Sequence, residues 1–364
     1  MVLWCRGAMP DIPTAAELAA IKSTVEEALF TAVPEARVLC VAIGTEMVGR
    51  PPLYHATGNP AIQVYVPDAS DPAVQKLIDM VRPEPPAVPT ISIPPEIAFS
   101  VIEDWLPRPG YRPCPEVAED RKRRRILRGG IQIQTRGLST PGTLGCFVRT
   151  LTDPPIDMAL TAGHVAGDYG NVLENALVGQ PDDKNRFPLG RRVIGHVHRR
   201  ARDPGRVNAA VVQLRPGIRF YAGIEDIGMV TGTYTPTLQD ARLGLRVAKR
   251  GAHTGTTRGV LIGMHARTEK EFFLGNDQRP RRDDQYVIQW FDDDQDVFAC
   301  DGDAGAAVVD DNGRVVGILW SGGVFSYASP IDAVLGPNGC EVELITDQAT
   351  PGPLETATPH RVAR

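Results

Sequence analysis

Three short stretches of this chain carry residue types that can act together in acyl transfer. The first is Ala159-Leu160-Thr161-Ala162-Gly163-His164-Val165, an apolar run that ends in small residues and then presents a histidine. A general base needs a rigid strand end, and small neighbours that let a reacting group approach. The second is Arg206-Val207-Asn208-Ala209-Ala210-Val211-Val212-Gln213-Leu214, where one polar residue opens an apolar strand. Such a residue can orient an imidazole through one ring nitrogen. Asn208 carries no charge and can favour the wrong tautomer; in a Ser-His-Asp triad the Asp-to-Asn change costs about 10⁴ in turnover. The third is Cys300-Asp301-Gly302-Asp303-Ala304-Gly305-Ala306-Ala307. A tight Gly-Asp-x-Gly turn between two strands can aim the N–H groups of Gly302 and Ala304 at one point, which is the geometry of an oxyanion hole. Asp303 would lie buried beneath them and need a partner. An attacking hydroxyl would sit at x, but Ala304 has none.

Each stretch alone has a plainer reading: a structural histidine, an asparagine at a strand start, a Gly-rich hairpin. Their order favours the joint reading. The intervals suit two small barrels, with strand–His first, then Asn–strand, then the Gly-Asp-x-Gly turn.

The elements that must position these residues are mostly strands. From Ile131 onward, short apolar or alternating runs recur, among them 143–150, 158–161, 192–198, 209–214, 246–250, 260–265, 286–290, 306–309 and 314–320. Pro141-Gly142, Asp203-Pro204-Gly205, Asn312-Gly313 and other turn residues separate them. That rhythm predicts an all-β barrel or sandwich. The first third reads differently. Leu18, Ile21, Val25 and Leu29 predict a helix over 12–32, with Thr14 and Glu17 as a capping box. A second helix is expected over 71–81, entered through Asp71-Pro72. Strands are expected at 37–43, 61–66, 91–93 and 97–102. The division is then a small α/β domain (1–106), a Pro-rich and basic linker (107–130), a β domain (131–346) and a disordered tail (347–364).

Bulk properties exclude several classes. The chain has 364 residues, 42% hydrophobic and 23% charged, enough for packed cores. Its net charge of -5 gives no drive toward nucleic acid or anionic membrane. The run Arg121-Lys122-Arg123-Arg124-Arg125 reads as a solvated face; a nucleic-acid adaptor or a processing site before Gly129-Gly130-Ile131 is the lesser reading. No apolar run approaches the roughly 18–20 residues of a membrane span. The 6 cysteines form no CxxC pair, so no zinc site is signalled and no cofactor or metal is expected. With no signal peptide read at the N-terminus, a cytoplasmic protein is expected.

Residues 131–340 resemble a trypsin/chymotrypsin-like serine peptidase. Thr161-Ala162-Gly163-His164 is similar to the family's Thr-Ala-Ala-His, Val207-Asn208-Ala209-Ala210 to its Asp-Ile-Ala segment, and Gly302-Asp303-Ala304-Gly305-Ala306 to its Gly-Asp-Ser-Gly-Gly. The run 249–260 resembles a second-barrel segment of bacterial members. The N-terminal arrangement, with Gly142-Thr143-Leu144-Gly145 at the barrel's start, is similar to plant narrow-leaf-type peptidases and bacterial relatives.

The resemblance implies a mostly β fold: a chymotrypsin-like double β-barrel, here preceded by the small α/β domain. It implies His164 as base, Asn208 as orienter and position 304 as nucleophile, with Gly302 and residue 304 forming the oxyanion hole. Phe298 falls at the base of the primary pocket and is not acidic, so the expected substrate is a protein or peptide with a non-basic residue there. Trp320-Ser321-Gly322 would be the edge strand that pairs with substrate backbone. Val165 stands where many secreted members have cysteine, leaving Cys146 without its usual bridge, and Cys300 has no partner near Ser321–Val324. Activation by a freed amine is not expected, so Asp303 should have another partner. Two functions follow: a serine endopeptidase whose serine is replaced by Ala304, or a natural pseudopeptidase that binds peptide without cutting it. Self-association stays open.

Overall fold

The computed structural model describes residues 13–32, 38–50, 53–83, 91–104, 122–167, 175–181, 192–268, 282–291 and 297–346. The Pro-rich stretch 107–115, Arg121 and the tail after 346 lie outside them. Helix α1 (Ala15–Ala32) starts at the expected capping box. Thr14 donates its N–H and hydroxyl to Glu17, and the Glu17 N–H donates to Thr14 Oγ1 at 3.2 Å. Strands β1 (Cys40–Arg50) and β2 (Leu53–Val66) form an antiparallel hairpin, longer than expected at both strands. Helix α2 (Pro72–Val81) is capped by Asp71, whose carboxylate accepts the Ala73 N–H at 2.8 Å. Strand β3 (Ala98–Glu103) runs parallel to β2. No strand forms at 91–93; Ile91 is buried in irregular chain, its N–H donating to Met80 O at 2.9 Å.

The β region follows the predicted rhythm. It contains β4 (Ile126–Gly129), β5 (Gln132–Thr135), β6 (Gly142–Thr143), β7 (Cys146–Thr150), β8 (Asp157–Thr161), the single turn α3 (Gly163–Ala166), β9 (Leu177–Gly179), β10 (Val193–Arg200) and β11 (Ala210–Leu214). Next come β12 (Arg219–Ile224), β13 (Gly228–Met229), β14 (Gly232–Thr233), the short helix α4 (Leu238–Leu243), β15 (Leu245–Gly251), β16 (Gly255–Thr268) and β17 (Arg282–Trp290). The last are β18 (Ala307–Asp310), β19 (Arg314–Ser321), β20 (Phe325–Pro330), the turn α5 (Ile331–Leu335) and β21 (Val342–Leu344).

Strand order defines two barrels. One sheet runs β21-β7-β8-β11-β10-β9-β5-β6 and curls without closing. The other runs β15-β18-β19-β20-β17-β16 and closes through β15–β16 pairing. This is the double β-barrel that the three motifs implied.

The second sheet continues into the N-terminal third. β16 changes partner along its length: Gly255–Leu261 pairs with β15, whereas Gly263–Thr268 pairs with β1. The N-terminal strands therefore extend the second barrel's own sheet through β16. One face of that extension packs against α1 and α2 through Leu18, Val25, Val41, Ile43, Val64, Val74 and Leu77. The other joins Cys40, Tyr54, Tyr65 and Ile102 to the core between the barrels, with Phe147, Val287, Phe325 and Tyr327. Tyr65 and Phe325 meet edge-on at 5.2 Å. Burial of each such ring is worth roughly 1.5–3 kcal/mol. Asp104, just past β3, is buried in the same seam and accepts the Tyr327 hydroxyl at 2.9 Å. Burial pushes its carboxyl up to about 7, against the pull of the Tyr327 hydroxyl and the Phe325 N–H.

The basic run is partly engaged. The Arg124 guanidinium makes a two-point ion pair with Glu225 at 2.8 and 3.0 Å, and its backbone N–H donates to Gln180 Oε1. That ties the segment entering β4 to the first barrel.

Candidate active site

His164 lies on the turn that leaves β8. β8 pairs antiparallel with β11, placing Ala210 opposite Thr161, so the residue two before β11 arrives beside that turn. This register is what brings Asn208 to His164 across 44 residues of chain. Asn208 is buried, with 1% exposure. Its Oδ1 accepts the His164 backbone N–H at 3.2 Å and lies 3.4 Å from Nδ1, while its Nδ2 lies 3.1 Å from Nδ1. With Oδ1 engaged by the backbone, Nδ2 is the nearer group to the ring. An N–H donor there makes Nδ1 an acceptor and puts the ring proton on Nε2, the nitrogen that would have to take a proton from a nucleophile. Aspartate would accept at both places. Gly163 gives room for this arrangement: a Cβ there would fall 2.8 Å from Asn208 Oδ1 and 3.2 Å from Arg200 Nε.

Asn208 belongs to the first barrel, but the second holds it. Its N–H donates to Ser329 Oγ at 3.0 Å. The Ser329 hydroxyl donates to Gln285 Oε1 at 2.9 Å, as does Trp320 Nε1–H at 2.7 Å. Gln285 Nε2 in turn donates to Arg206 O at 2.6 Å and Asp283 O at 2.7 Å. Gln285 is fully buried with four partners and braces the Asn208 loop against β17, β19 and β20. No motif or periodicity in the sequence marks Gln285, because its four bonds reach strands distant in the chain.

The Gly-Asp-x-Gly turn faces the His164 turn across β6. Thr143 N–H donates to Ala304 O at 2.8 Å, the Thr143 hydroxyl donates to Gly302 O at 2.8 Å, and Thr143 O accepts the Thr161 hydroxyl at 2.7 Å. Gly302 has φ +99, a conformation that favours glycine. Among the described residues, neither the Gly302 N–H nor the Ala304 N–H has an acceptor. Two donors at such a turn are what an oxyanion hole requires.

Asp303 has the partner it needed. Its carboxylate and the Lys249 ammonium are both fully buried, 3.0 Å apart. It also accepts the Thr254 hydroxyl at 2.7 Å and the N–H groups of His253, Thr254 and Cys300 at 2.9–3.0 Å. Lys249 further donates to Thr254 Oγ1 and to Gly255 O. Lys249, His253 and Thr254 thus serve this carboxylate, and Gly251 leaves room for it: a Cβ there would lie 2.1 Å from Asp303 Oδ1. Burial works to raise the Asp303 carboxyl, but Lys249 and the hydrogen bonds outweigh it and hold the group below its ordinary value. Burial lowers Lys249 in turn, more than Asp303 restores it.

The expected pocket residues are placed otherwise than an open pocket would need. Phe298 is fully buried among Leu261, Ile288, Ala299 and Ala306, and the Lys249 ammonium lies 5.9 Å from its ring. Trp320 turns its ring into the inter-barrel core beneath the Arg282 guanidinium, 5.2 Å away. Ser321 is half-buried and Gly322 exposed at the end of β19. Cys146 is a buried free thiol, as are Cys40 and Cys340. Cys300 is disulfide-bonded to a residue outside the described ones; the expectation concerned a partner near 321–324, and that segment, Ser-Gly-Gly-Val, holds no cysteine. Among the described residues, no group of three His, Cys, Asp or Glu could hold a metal ion.

No family model matches the chain, and no curated protein matches it. Solved structures do. Chymotrypsin of Cellulomonas bogoriensis is 16% identical, covering 61% of this chain and 100% of its own, with a TM-score of 0.43. Protease A of Thermobifida fusca is 17% identical over 61% and 100%, with a TM-score of 0.41. A glutamic-acid-specific serine protease is 15% identical over 60% and 100%, with a TM-score of 0.42. The solved structures this chain is similar to are chymotrypsin-like serine proteases.

Proposed function

We propose that this chain is a serine endopeptidase scaffold whose attacking position, 304, is occupied by alanine. The observation that carries the reading is the turn at 302–304. Two N–H groups without acceptors are held by a buried Asp303–Lys249 pair, against the turn that presents His164. A hydroxyl at 304 would attack a peptide carbonyl, pass its proton to His164 Nε2 once the ring carries its proton on Nδ1 instead, and leave the oxyanion on the Gly302 and residue-304 N–H groups. Lys249 stands where a freed N-terminal amine would otherwise be needed, so the turn requires no cleavage of the chain to form. The filled floor at Phe298 supports a non-basic residue in the substrate. The test is to make Ala304→Ser and add a fluorophosphonate, whose phosphorus bonds to the new oxygen as fluoride leaves. Labelling at 304 that is lost in His164→Ala supports the reading; no labelling overturns it.

The geometry at Asn208 favours a second reading, a peptide-binding protein that does not cut. An Nδ2 donor facing His164 Nδ1 leaves the histidine in the wrong tautomer for a base. On this reading a peptide is retained unchanged, and Ala304→Ser restores no labelling.

A further inference from the structure

On the proposed reading, segments 298–301 and 321–323 flank the side chain of a bound peptide. Here they touch. Ala299 and Gly323 form an antiparallel bridge. Gly322 lies against Ala299, so that a Cβ on it would fall 2.3 Å from the Ala299 carbonyl oxygen and 3.1 Å from the Ala299 Cβ. A slot that admits an alkyl or aromatic group needs its walls roughly 7–8 Å apart, two van der Waals contacts. No such gap separates these segments.

The closure is built into the fold. Phe298 fills the floor and shares the second barrel's core. Ala299 is fully buried, and Cys300 is buried beside it. On the other side, Phe325 follows the 321–324 segment and is held by Tyr54 and Tyr65 of the N-terminal strands, at ring distances of 6.1 and 5.2 Å. The N-terminal extension therefore backs one wall, and the barrel core backs the other. Gly322 stays exposed at the end of β19, so its backbone is within reach of a peptide.

We infer that the chain recognises a peptide through its backbone and selects glycine at the position next to the reacting carbonyl, with no room for a side chain. This rests on the reading of the cleft as a peptide site. A Cβ at that point would meet the Ala299–Gly323 bridge, and either the bridge breaks or the peptide lifts off the edge. The expected discrimination is about tenfold or more against alanine and larger residues.

The test has two arms. In the first, the isotope-labelled full chain is titrated with indole, benzamidine and p-cresol, and with blocked tetrapeptides that differ only in Gly, Ala, Leu, Phe or Glu at one position. The expected result is no shift of the Ala299, Gly322 or Gly323 amides with the three small molecules, and at least tenfold tighter binding of the glycine peptide. Saturable shifts with a small molecule, equal or better binding of the Leu or Phe peptide, or no binding of any peptide would each overturn the inference. In the second arm, Ala304→Ser is labelled with a fluorophosphonate that carries no amino-acid side chain. Labelling together with a Leu or Phe preference leaves the peptidase reading standing and removes the glycine inference. Glycine selectivity without labelling removes the peptidase reading and leaves the inference standing.

Discussion

Replacing Lys249 with methionine tests what holds the 302–304 turn. Methionine nearly matches the lysine stem in volume, so packing around Phe298 is largely kept and the change removes one charge. Asp303 is then a fully buried carboxylate without its cation. Removing one partner of a buried pair costs about 3–5 kcal/mol. Four hydrogen bonds remain on Asp303, from Thr254 Oγ1 and from the His253, Thr254 and Cys300 amides, so the expected loss is near the lower end, about 3 kcal/mol at pH 7. The loss must depend on pH. In the unaltered chain the folded-state pKa of Asp303 lies below its ordinary value, so its contribution is present above about pH 4 and is lost as pH falls through the lower folded value. In Lys249→Met, burial acts without the opposing cation, so the folded pKa of Asp303 rises from its lowered value. The variant's deficit should then be small near pH 3 and grow as pH rises through 4 and beyond. Urea unfolding at pH 4, 5.5 and 7 measures this. The double change Lys249→Met with Asp303→Leu should recover much of the loss. A deficit under about 1 kcal/mol at pH 7, or one that does not change with pH, would refute the ion pair as the support of the turn.

Three further outcomes are expected. In an Ala304→Ser background, Asn208→Asp should correct the His164 tautomer and raise the fluorophosphonate labelling rate by up to about 10⁴-fold; a gain under tenfold would separate residue 208 from the base. Gln285→Leu strands the Ser329 and Trp320 donors and the Arg206 and Asp283 carbonyls, and should cost about 3 kcal/mol in urea unfolding; a loss below about 1 kcal/mol would mean that the inter-barrel brace carries little. Asp104 moves from its usual 3.8 to about 7, so it stays protonated in the folded chain while the unfolded chain ionises. Stability should therefore fall by about 3 kcal/mol as pH rises from 4 to 7, and Asp104→Asn should remove that slope and leave the protein more stable at pH 8; an unchanged slope would contradict the burial argument.

Local patterns were readable where the physics is local. Thr14 with Glu17 and Asp71 with Pro72 mark helix starts through bonds made within a few residues, and both caps form as expected. The turn-punctuated runs after Ile131 gave the β class, and the need of a buried Asp303 for a partner was plain from its turn. Which cation would serve was not. Lys249 and Arg250 are adjacent in the chain, and only the pleat of β15 decides which ammonium or guanidinium points inward. Gln285 and Ser329 lay beyond reach for a similar reason: their bonds link strands far apart in sequence, and side-chain amides leave no periodic mark. The continuation of β16 into β1 was hidden too, because edge pairing between such distant strands has no local pattern; Gln63 donating to Ile262 O across 199 residues is one of its few anchors. Phe298 was read at the pocket floor, but the contact of Ala299 with Gly323 depends on a register that the sequence does not display.

On the proposed reading the 302–304 turn is an oxyanion hole beside His164 from which the attacking hydroxyl is missing. Restoring that one atom tests it. Ala304→Ser, treated with a fluorophosphonate and mapped by mass spectrometry, should gain one adduct at position 304, and the same variant carrying His164→Ala should gain none. An Ala304→Ser chain that is folded by circular dichroism and stays unlabelled would contradict the claim.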